Sequence, residues 1–344
     1  MAKQSLMDRL KNGAGSVLCG EGYLFQMQHR GYLKAGAYVP EVVLEHPEVV
    51  EQLHEEFRRC GTDVEVAFTY YAHREKMKAI GRKDDLEKMN RAALKLAKKS
   101  AQGTDMLITG NICNTGAYVI DNQAAADEVR RQFSEQVKWA AEEGVDFILA
   151  ETISYLGEAL IALEVIKKFD LPAVINFTAH GAKSKDGHGW AEACKTLQDN
   201  GADVVGLNCG RGPAAMLPLL KEIRAAVSCG VAALPVAYRT TPEQPSFQSL
   251  KNADGSSAYT LGLDAHLCTR QEMADFAREA KDIGVEFIGM CCGGEAYHLR
   301  AMAKALGRST IASQYSPDMS QHYILGNKAF AKQQEQEFTG HITK

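Results

Sequence analysis

Three cysteines follow apolar runs of the chain in a pattern that could hold a metal ion. Cys209 comes directly after residues 204–208 (VVGLN), and Cys291 and Cys292 come after residues 285–290 (VEFIGM). Thiolates at the ends of two strands can bind one soft ion such as Zn²⁺. Three protein ligands leave the fourth position of a tetrahedral zinc open, which is the arrangement of catalytic rather than structural zinc. The pattern therefore indicates zinc that acts on an incoming ligand.

Free cysteines can also be small buried hydrophobic residues without any metal. We expect this of the other six, which are Cys19, Cys60, Cys113, Cys194, Cys229 and Cys268. Cys291 and Cys292 differ, because adjacent strand residues normally point to opposite faces. The glycines that follow them, Gly293 and Gly294, let the backbone turn so that both thiols aim at one ion. Their spacing matches no standard zinc motif, so from the residues alone both interpretations stay open.

The composition is typical of a globular enzyme, with 45% hydrophobic and 24% charged residues among 344. A net charge of -4 gives no electrostatic reason to expect nucleic acid or an anionic membrane as a partner. No run approaches the roughly 18 continuous apolar residues of a membrane span, and the first residues lack the apolar core of a signal peptide. The chain has nine cysteines, an odd number, which fits reduced thiols better than a set of disulfides. We therefore expect a cytoplasmic protein.

Short apolar runs alternate with amphipathic stretches along the chain. Runs rich in Val, Ile, Leu and Phe are typical of strands buried on both faces of a parallel sheet. They predict strands at 16–20, 64–70, 106–112, 147–151, 173–177, 204–208, 231–237 and 287–290. Helices are predicted at about 40–59, 86–101, 122–143, 156–168, 191–200, 213–227, 270–283 and 295–306. Eight strands, each followed by a helix, predict an α/β fold of the (β/α)8 (TIM) barrel class.

An open doubly wound sheet is the alternative architecture, but no strand is followed by the Gly-x-Gly-x-x-Gly loop of a dinucleotide-binding fold.

We expect one barrel domain over residues 1–314, and a short C-terminal extension or tail over residues 315–344. The polar segment 240–260 is predicted to be a long loop after the seventh strand.

In barrels of this class the active site lies at the C-terminal ends of the strands. Polar residues of the chain fall at these ends: Glu21 after the first strand, Tyr70 and Tyr71 at the second, and Glu151 and Thr152 at the fourth. The three cysteines fall at the sixth and eighth. The barrel therefore predicts that residues far apart in sequence meet at one mouth.

Motifs in both halves of the chain resemble the homocysteine S-methyltransferase family. Asn208-Cys209 and segment 289–294 (GMCCGG) carry this resemblance. Within the family, the betaine–homocysteine S-methyltransferases are similar at segments 31–36 (GYLKAG), 45–48 (EHPE), 68–72 (FTYYA), 235–238 (PVAY) and 296–300 (AYHLR). The resemblance covers about residues 6–306. It implies that Cys209, Cys291 and Cys292 hold Zn²⁺, and that the sulfur of homocysteine becomes the fourth ligand and then accepts a methyl group to give methionine.

The same resemblance implies roles for four neighbours of the cysteines. Glu151 matches the family's acidic residue for the amino group of homocysteine, although a structural carboxylate paired with Lys or Arg is the alternative. Glu21 stands where the family has aspartate, and it and Gly22 are expected to contact homocysteine. Asn208 precedes Cys209 and is expected to orient the metal ligands by hydrogen bonds without binding the metal itself.

The implied methyl donor is a methylated cation, with a betaine as first choice. The faces of aromatic rings attract such cations. Tyr71 matches the donor-site tyrosine of betaine enzymes, whereas Tyr38 and Thr152 stand where those enzymes have tryptophan and tyrosine. Tyr32 and Tyr70 lie in the same two predicted loops. The two departures keep a bulkier betaine, dimethylsulfoniopropionate and S-methylmethionine as alternative donors.

Two other functions are compatible with the motifs. The same barrel and thiols could serve a different methyl acceptor, such as a corrinoid protein or another thiol. A non-catalytic barrel that binds an osmolyte or zinc is the second, although it gains nothing from an open metal position. Assembly into a homo-oligomer stays open. Betaine enzymes assemble through C-terminal extensions longer than the short one predicted here, so we do not expect that mode of dimerisation.

Overall fold

Eight parallel strands close into a barrel in the computed structural model, which describes residues 3–11, 16–34, 38–259 and 261–312. Each strand pairs with the next along the chain, and the last pairs with the first at Gly20 and Met290. This confirms the predicted (β/α)8 barrel. The strands are β1 (Val17–Gly20), β2 (Val64–Val66), β3 (Leu107–Cys113), β4 (Phe147–Ile153), β5 (Ala173–Phe177), β6 (Val204–Asn208), β7 (Gly230–Leu234) and β8 (Phe287–Met290).

Helices surround this barrel and bury their apolar faces against the strands. Their ends follow local signals: α11 begins with a capping box, in which Thr269 and Glu272 satisfy each other's backbone N–H groups. The helices are α1 (Leu6–Lys11), α2 (Tyr23–His29), α3 (Val42–Glu45), α4 (Pro47–Cys60), α5 (Arg74–Ala79), α6 (Leu86–Ser100), α7 (Gln123–Glu143), α8 (Leu156–Lys167), α9 (Trp190–Asp199), α10 (Pro213–Ala226), α11 (Arg270–Ile283) and α12 (Ala296–Ala305). Within the described ranges, no helix has the length and apolarity to cross a bilayer.

Two predicted boundaries were wrong because of prolines. β7 ends at Leu234 rather than at residue 237, since Pro235 has no N–H to donate to the ladder. The predicted helix 40–59 divides into α3 and α4 at His46, whose φ of -141° and ψ of 60° are not helical. A residue that precedes proline is disfavoured in the helical region, and Pro47 follows His46 directly. The predicted extension 315–344 lies outside the described residues.

The second strand is also shorter than predicted, and this changes the position of two tyrosines. β2 ends at Val66, so Tyr70, predicted as the last residue of the strand, lies with Tyr71 on the loop that follows it. Two short helices that the periodicity did not indicate, α2 and α5, lie in the loops after β1 and β2. The loops above the strand ends are therefore more structured than the sequence pattern suggests.

We expect Gly206→Ala to destabilise the barrel directly beneath Cys209, the residue that follows β6. A Cβ atom at this position would lie 2.0 Å from the backbone oxygen of Ala232 on β7, so two core strands would have to separate. Overpacking of this kind costs about 1–3 kcal/mol, and we expect the upper end because the obstacle is backbone. Urea unfolding measures the change. Gly181→Ala is the control, since its Cβ would lie 3.8 Å from its nearest neighbour, the backbone oxygen of Lys183. Equal stability of the two variants would contradict the expectation.

Candidate active site

The three predicted cysteines come together at the mouth of the barrel. The Sγ atoms of Cys209 and Cys292 lie 3.6 Å apart, and those of Cys291 and Cys292 lie 3.9 Å apart. All three sulfur atoms lie within 4.8 Å of one another. Tetrahedral zinc with Zn–S bonds of about 2.3 Å separates its sulfur ligands by ~3.8 Å. The donor set and its spacing therefore fit a zinc ion held by three thiolates.

Backbone geometry at the two strand ends produces this convergence. Cys209 has a φ of 56°, and its N–H still donates to the oxygen of Leu234 on β7 at 2.9 Å. Cys291 is tied to the same neighbouring strand end by its N–H, which donates to the oxygen of Pro235 at 2.8 Å. The turn continues at Gly293, where φ is 76°. These departures from strand geometry let consecutive thiols face one point.

Left-handed backbone is concentrated at this site. Among the described residues, six that are not glycine have positive φ, and four of these are predicted site residues: Tyr38, Tyr71, Thr152 and Cys209. Each such conformation costs on the order of 1–3 kcal/mol and persists only where surrounding structure enforces it. Strained residues cluster at functional sites, so this distribution favours the mouth of the barrel as the candidate site.

A buried acidic pair lies beside the thiols. Glu151 is 1% exposed, and its carboxylate accepts hydrogen bonds from Asn111 at 2.5 Å and from Asn208 at 2.9 Å. Glu21 is 6% exposed, and one oxygen of each carboxylate lies within 4.8 Å of the Cys291 sulfur. No Lys or Arg in the described part of the chain pairs with Glu151. The alternative of a structural ion pair is therefore excluded for the described residues.

Burial of these carboxylates disfavours their charged forms. Burial and the nearby Cys291 thiol raise the pKa of Glu21 to about 8. Burial and the charge of Glu21 raise the pKa of Glu151 well above its usual range. Among the thiols, hydrogen bonds from Cys291 and Cys292 lower the pKa of Cys209. A cation bound between the carboxylates would offset their desolvation, so the pair is suited to hold an ammonium group.

Asn208 connects the acidic pair to the rest of the site. Its Nδ2 donates to the Glu151 carboxylate and to the Thr152 hydroxyl, each at 2.9 Å, and its Oδ1 accepts from the Thr152 N–H at 2.7 Å. The same Nδ2 lies 3.9 Å from the Cys291 sulfur. Asn208 thus fixes the orientation of the Glu151 carboxylate. The Thr152 hydroxyl already accepts a hydrogen bond from Asn208, and Thr152 also lines the cavity described next.

A cavity of about 620 Å³ opens above the thiols and the acidic pair. It is lined by every predicted site residue except Asn208, which lies beneath its floor. Gly22 is required there for a close approach as well as for its φ of 96°, because a Cβ would lie 2.7 Å from the oxygen of Cys291. The Tyr70 and Tyr71 rings, whose centroids lie 4.4 Å apart, line the cavity, and so does Tyr38. Tyr32 is not a lining residue; it packs on His46 instead.

Sequence reasoning missed several lining residues. Phe247 and Tyr259 come from the loop after β7 and face the cavity with ring centroids 5.7 Å apart. Lys76 of α5 and Lys185 also line it. Their loops carry no periodicity that predicts an inward orientation. The turn-rich composition of segment 240–260 predicted the loop correctly but not its contribution of aromatic side chains.

A second set of potential metal ligands overlaps the first. Glu21, Glu151 and Cys291 have ligand atoms within 4.8 Å of one another. Both oxygens of Glu151 already accept hydrogen bonds from asparagines. Zinc accepts thiolate ligands readily, and the three-thiolate set leaves the carboxylates available for another role. The thiol set is therefore the better metal site of the two.

Known proteins with similar sequences share this architecture. A family model described as homocysteine S-methyltransferase matches residues 20–306. The chain is 35% identical over 313 residues to an S-methylmethionine–homocysteine S-methyltransferase of Pongo abelii, covering 89% of this chain and 82% of that one. It is 35% identical over 317 residues to betaine–homocysteine S-methyltransferase 1 of Xenopus tropicalis, covering 89% and 76% of the two chains.

A solved structure extends the likeness to the fold. The metallated form of the homocysteine methyltransferase MmuM from Escherichia coli superposes with a TM-score of 0.68 at 16% identity, covering 84% of this chain and 96% of that one. At this identity the likeness concerns the fold alone. The match of the family model and the two relatives, by contrast, extends over most of the sequence. The chain is a methyltransferase and belongs to the homocysteine S-methyltransferase family.

Proposed function

We propose that this protein transfers a methyl group from a betaine-type quaternary ammonium donor to the thiolate of homocysteine, giving methionine and the demethylated donor. The observation that carries the proposal is the cluster of three thiols on the floor of a cavity that tyrosines also line. A thiol-binding metal site and a cation-attracting wall then face the same space, which is what methyl transfer between a thiolate and a methylated cation requires.

The acceptor half of the site would bind homocysteine through two groups. Zn²⁺ held by Cys209, Cys291 and Cys292 would favour the thiolate of homocysteine at neutral pH. Glu151 would accept the ammonium group of homocysteine, and Asn208 would keep that carboxylate in position. Glu21, next to Glu151, would supply a second carboxylate that ionises when the ammonium group binds.

The donor half would orient the methyl group toward that sulfur. Tyr38, Tyr71 and the ring of Phe247 line the space in which a quaternary ammonium group would lie, and such ring contacts contribute about 0.5–2 kcal/mol each. As the sulfur–methyl bond forms, the carbon–nitrogen bond breaks and its electron pair stays on nitrogen. The leaving amine is therefore neutral and needs no general acid. The chain's contribution is alignment and proximity.

The relatives leave the donor undecided, because those named for betaine and for S-methylmethionine are both 35% identical to this chain. S-Methylmethionine, as a sulfonium donor, is accordingly the second candidate. Free thiols at all nine cysteines fit a reducing compartment, and we propose the cytoplasm.

The test is methionine formation by the zinc-loaded, reduced protein, measured by mass spectrometry with homocysteine and one donor at a time. We expect methionine with glycine betaine. Methionine only with S-methylmethionine or dimethylsulfoniopropionate would replace the donor and keep the acceptor. Loss of methyl groups from a donor without methionine would indicate a different acceptor. Donor binding without turnover would indicate a non-catalytic barrel.

A further inference from the structure

An ammonium group already lies against the ring that would attract the donor. The Nζ atom of Lys76, on α5, lies 4.1 Å from the centroid of the Tyr71 ring. Both residues line the cavity. Burial raises the pKa of Tyr71 to about 12, so the ring carries a neutral phenol and does not form an ion pair with the lysine. The contact is therefore a cation–π interaction on the wall of the cavity.

The charge of Lys76 is not balanced by a neighbouring carboxylate. Of the cavity's lysines, Lys34 pairs with Glu41 and Glu45 at the surface. Lys76 and Lys185 have no carboxylate at ion-pair distance within the described ranges, and each has an aromatic ring as its neighbour instead. The wall of the cavity at the loop after β2, where Lys76 lies, is thus positive.

The cavity's own carboxylates lie elsewhere. Glu21 and Glu151 are buried on its floor beside the thiols. Asp264 lies in the segment after β7, near Tyr238. None of these three is close enough to Lys76 to pair with it. The positive side of the cavity therefore offers a place for an anion that the protein itself does not supply.

This arrangement places a constraint on the donor. A methylated cation at the Tyr71 ring would meet the like charge of Lys76 in a partly buried space, where charges are poorly screened. A donor that also carries a carboxylate turns this repulsion into attraction, because the carboxylate can pair with Lys76 while the cationic centre contacts the aromatic rings. Charge-assisted hydrogen bonds from an ammonium to a carboxylate are the stronger kind.

We propose that Lys76 binds the carboxylate of the methyl donor, and so makes the site select zwitterionic donors over cationic ones of the same shape. The inference rests on the proposed function and deepens it, since it assigns a specificity-determining residue on the donor side. Lys185 also lines the cavity, from the loop after β5, and Lys76 makes the contact.

The experiment compares glycine betaine with its methyl ester, which keeps the trimethylammonium group and loses the negative charge. For Lys76→Met we expect the KM for glycine betaine to rise at least about tenfold, the loss of one charged hydrogen bond. The KM for the ester should fall or stay the same, because the repulsive charge is gone. The KM for homocysteine should not change. Lys76→Arg should restore most of the preference for the zwitterion.

Lys78→Met is the matched control, since Lys78 is an exposed residue of the same helix that does not line the cavity. We expect wild-type KM values for both donors. A Lys76→Met variant whose KM values for betaine and ester change by the same factor, or not at all, would overturn the proposal. So would a Lys78→Met variant that reproduces the effect, because long-range charge would then explain it.

A failure of the proposed methyl transfer can be told apart from a failure of the role proposed for Lys76. If wild type forms no methionine from either compound, donor affinity is measured directly by calorimetry on zinc-loaded protein with homocysteine present. About tenfold weaker binding of betaine by Lys76→Met, with ester binding unchanged or tighter, supports the role of Lys76 without turnover. Absence of betaine binding to wild type, or equal affinities of wild type and variant, overturns it.

Discussion

Replacing any one of Cys209, Cys291 and Cys292 with alanine is expected to remove both the bound zinc and the methyltransferase activity. The three sulfur atoms lie within 4.8 Å of one another and form the whole protein part of the proposed zinc site. Loss of an outer-shell partner alone lowers metal affinity or activity about 10–100-fold, so loss of a ligand should lower both by more than that. Zinc content is measured by elemental analysis after dialysis, and activity by methionine formation.

The matched control is Cys229→Ala. Cys229 is a free, partly buried thiol that precedes β7, at the end of the barrel opposite the site. We expect this variant to keep one zinc per chain and wild-type turnover. A fully active, zinc-replete variant at Cys209, Cys291 or Cys292 would refute the three-thiolate site. Retained zinc with lost activity would instead point to ligands from the overlapping Glu21, Glu151 and Cys291 set.

Glu151→Gln is expected to raise the KM for homocysteine about 10- to 100-fold, with a smaller effect on the KM for the donor. The amide preserves the shape and one oxygen acceptor, but it removes the charge that would pair with the ammonium group of homocysteine. A hydrogen bond to a charged group contributes about 1.5–3 kcal/mol, which corresponds to this range. Steady-state kinetics with each substrate varied in turn separates the two KM values.

The fold itself should tolerate this change. Glu151 is buried without a cationic partner among the described residues, and burial raises its pKa, so its charge contributes little to the ligand-free fold. The amide keeps only one oxygen, so one of the two hydrogen bonds from Asn111 and Asn208 is lost. We therefore expect the ligand-free variant to fold, with a melting temperature at or modestly below that of wild type. Glu158→Gln is the control: Glu158 is also buried, accepts from Thr115, and does not line the cavity. A homocysteine KM that responds equally to both substitutions would contradict the assigned role of Glu151.

Local sequence was sufficient to predict the strands and the location of the thiols. Apolar runs bounded by turn residues marked all eight strands, because strands buried on both faces need nearly continuous apolar side chains. Once eight strand–helix units are recognised, residues at the strand ends must share one mouth, whatever their separation in the chain. Cys209, Cys291, Cys292 and Glu151 were predicted on that basis together with the family resemblance, and they lie together.

Only the tertiary structure decided how the loops above the strands are arranged. Tyr70 and Tyr71 lie beyond β2, Lys76 rests on the Tyr71 ring, and Phe247 reaches the cavity from a segment that reads merely as polar and turn-rich. Loops have no repeating side-chain direction, so their sequence does not say which residues point inward. The left-handed backbone at Cys209 is likewise enforced by its surroundings and opposes local preference. The sequence by itself thus determined the barrel and the meeting of its three thiols at one mouth. The charges and rings that face the donor depend on contacts between loops far apart in the chain.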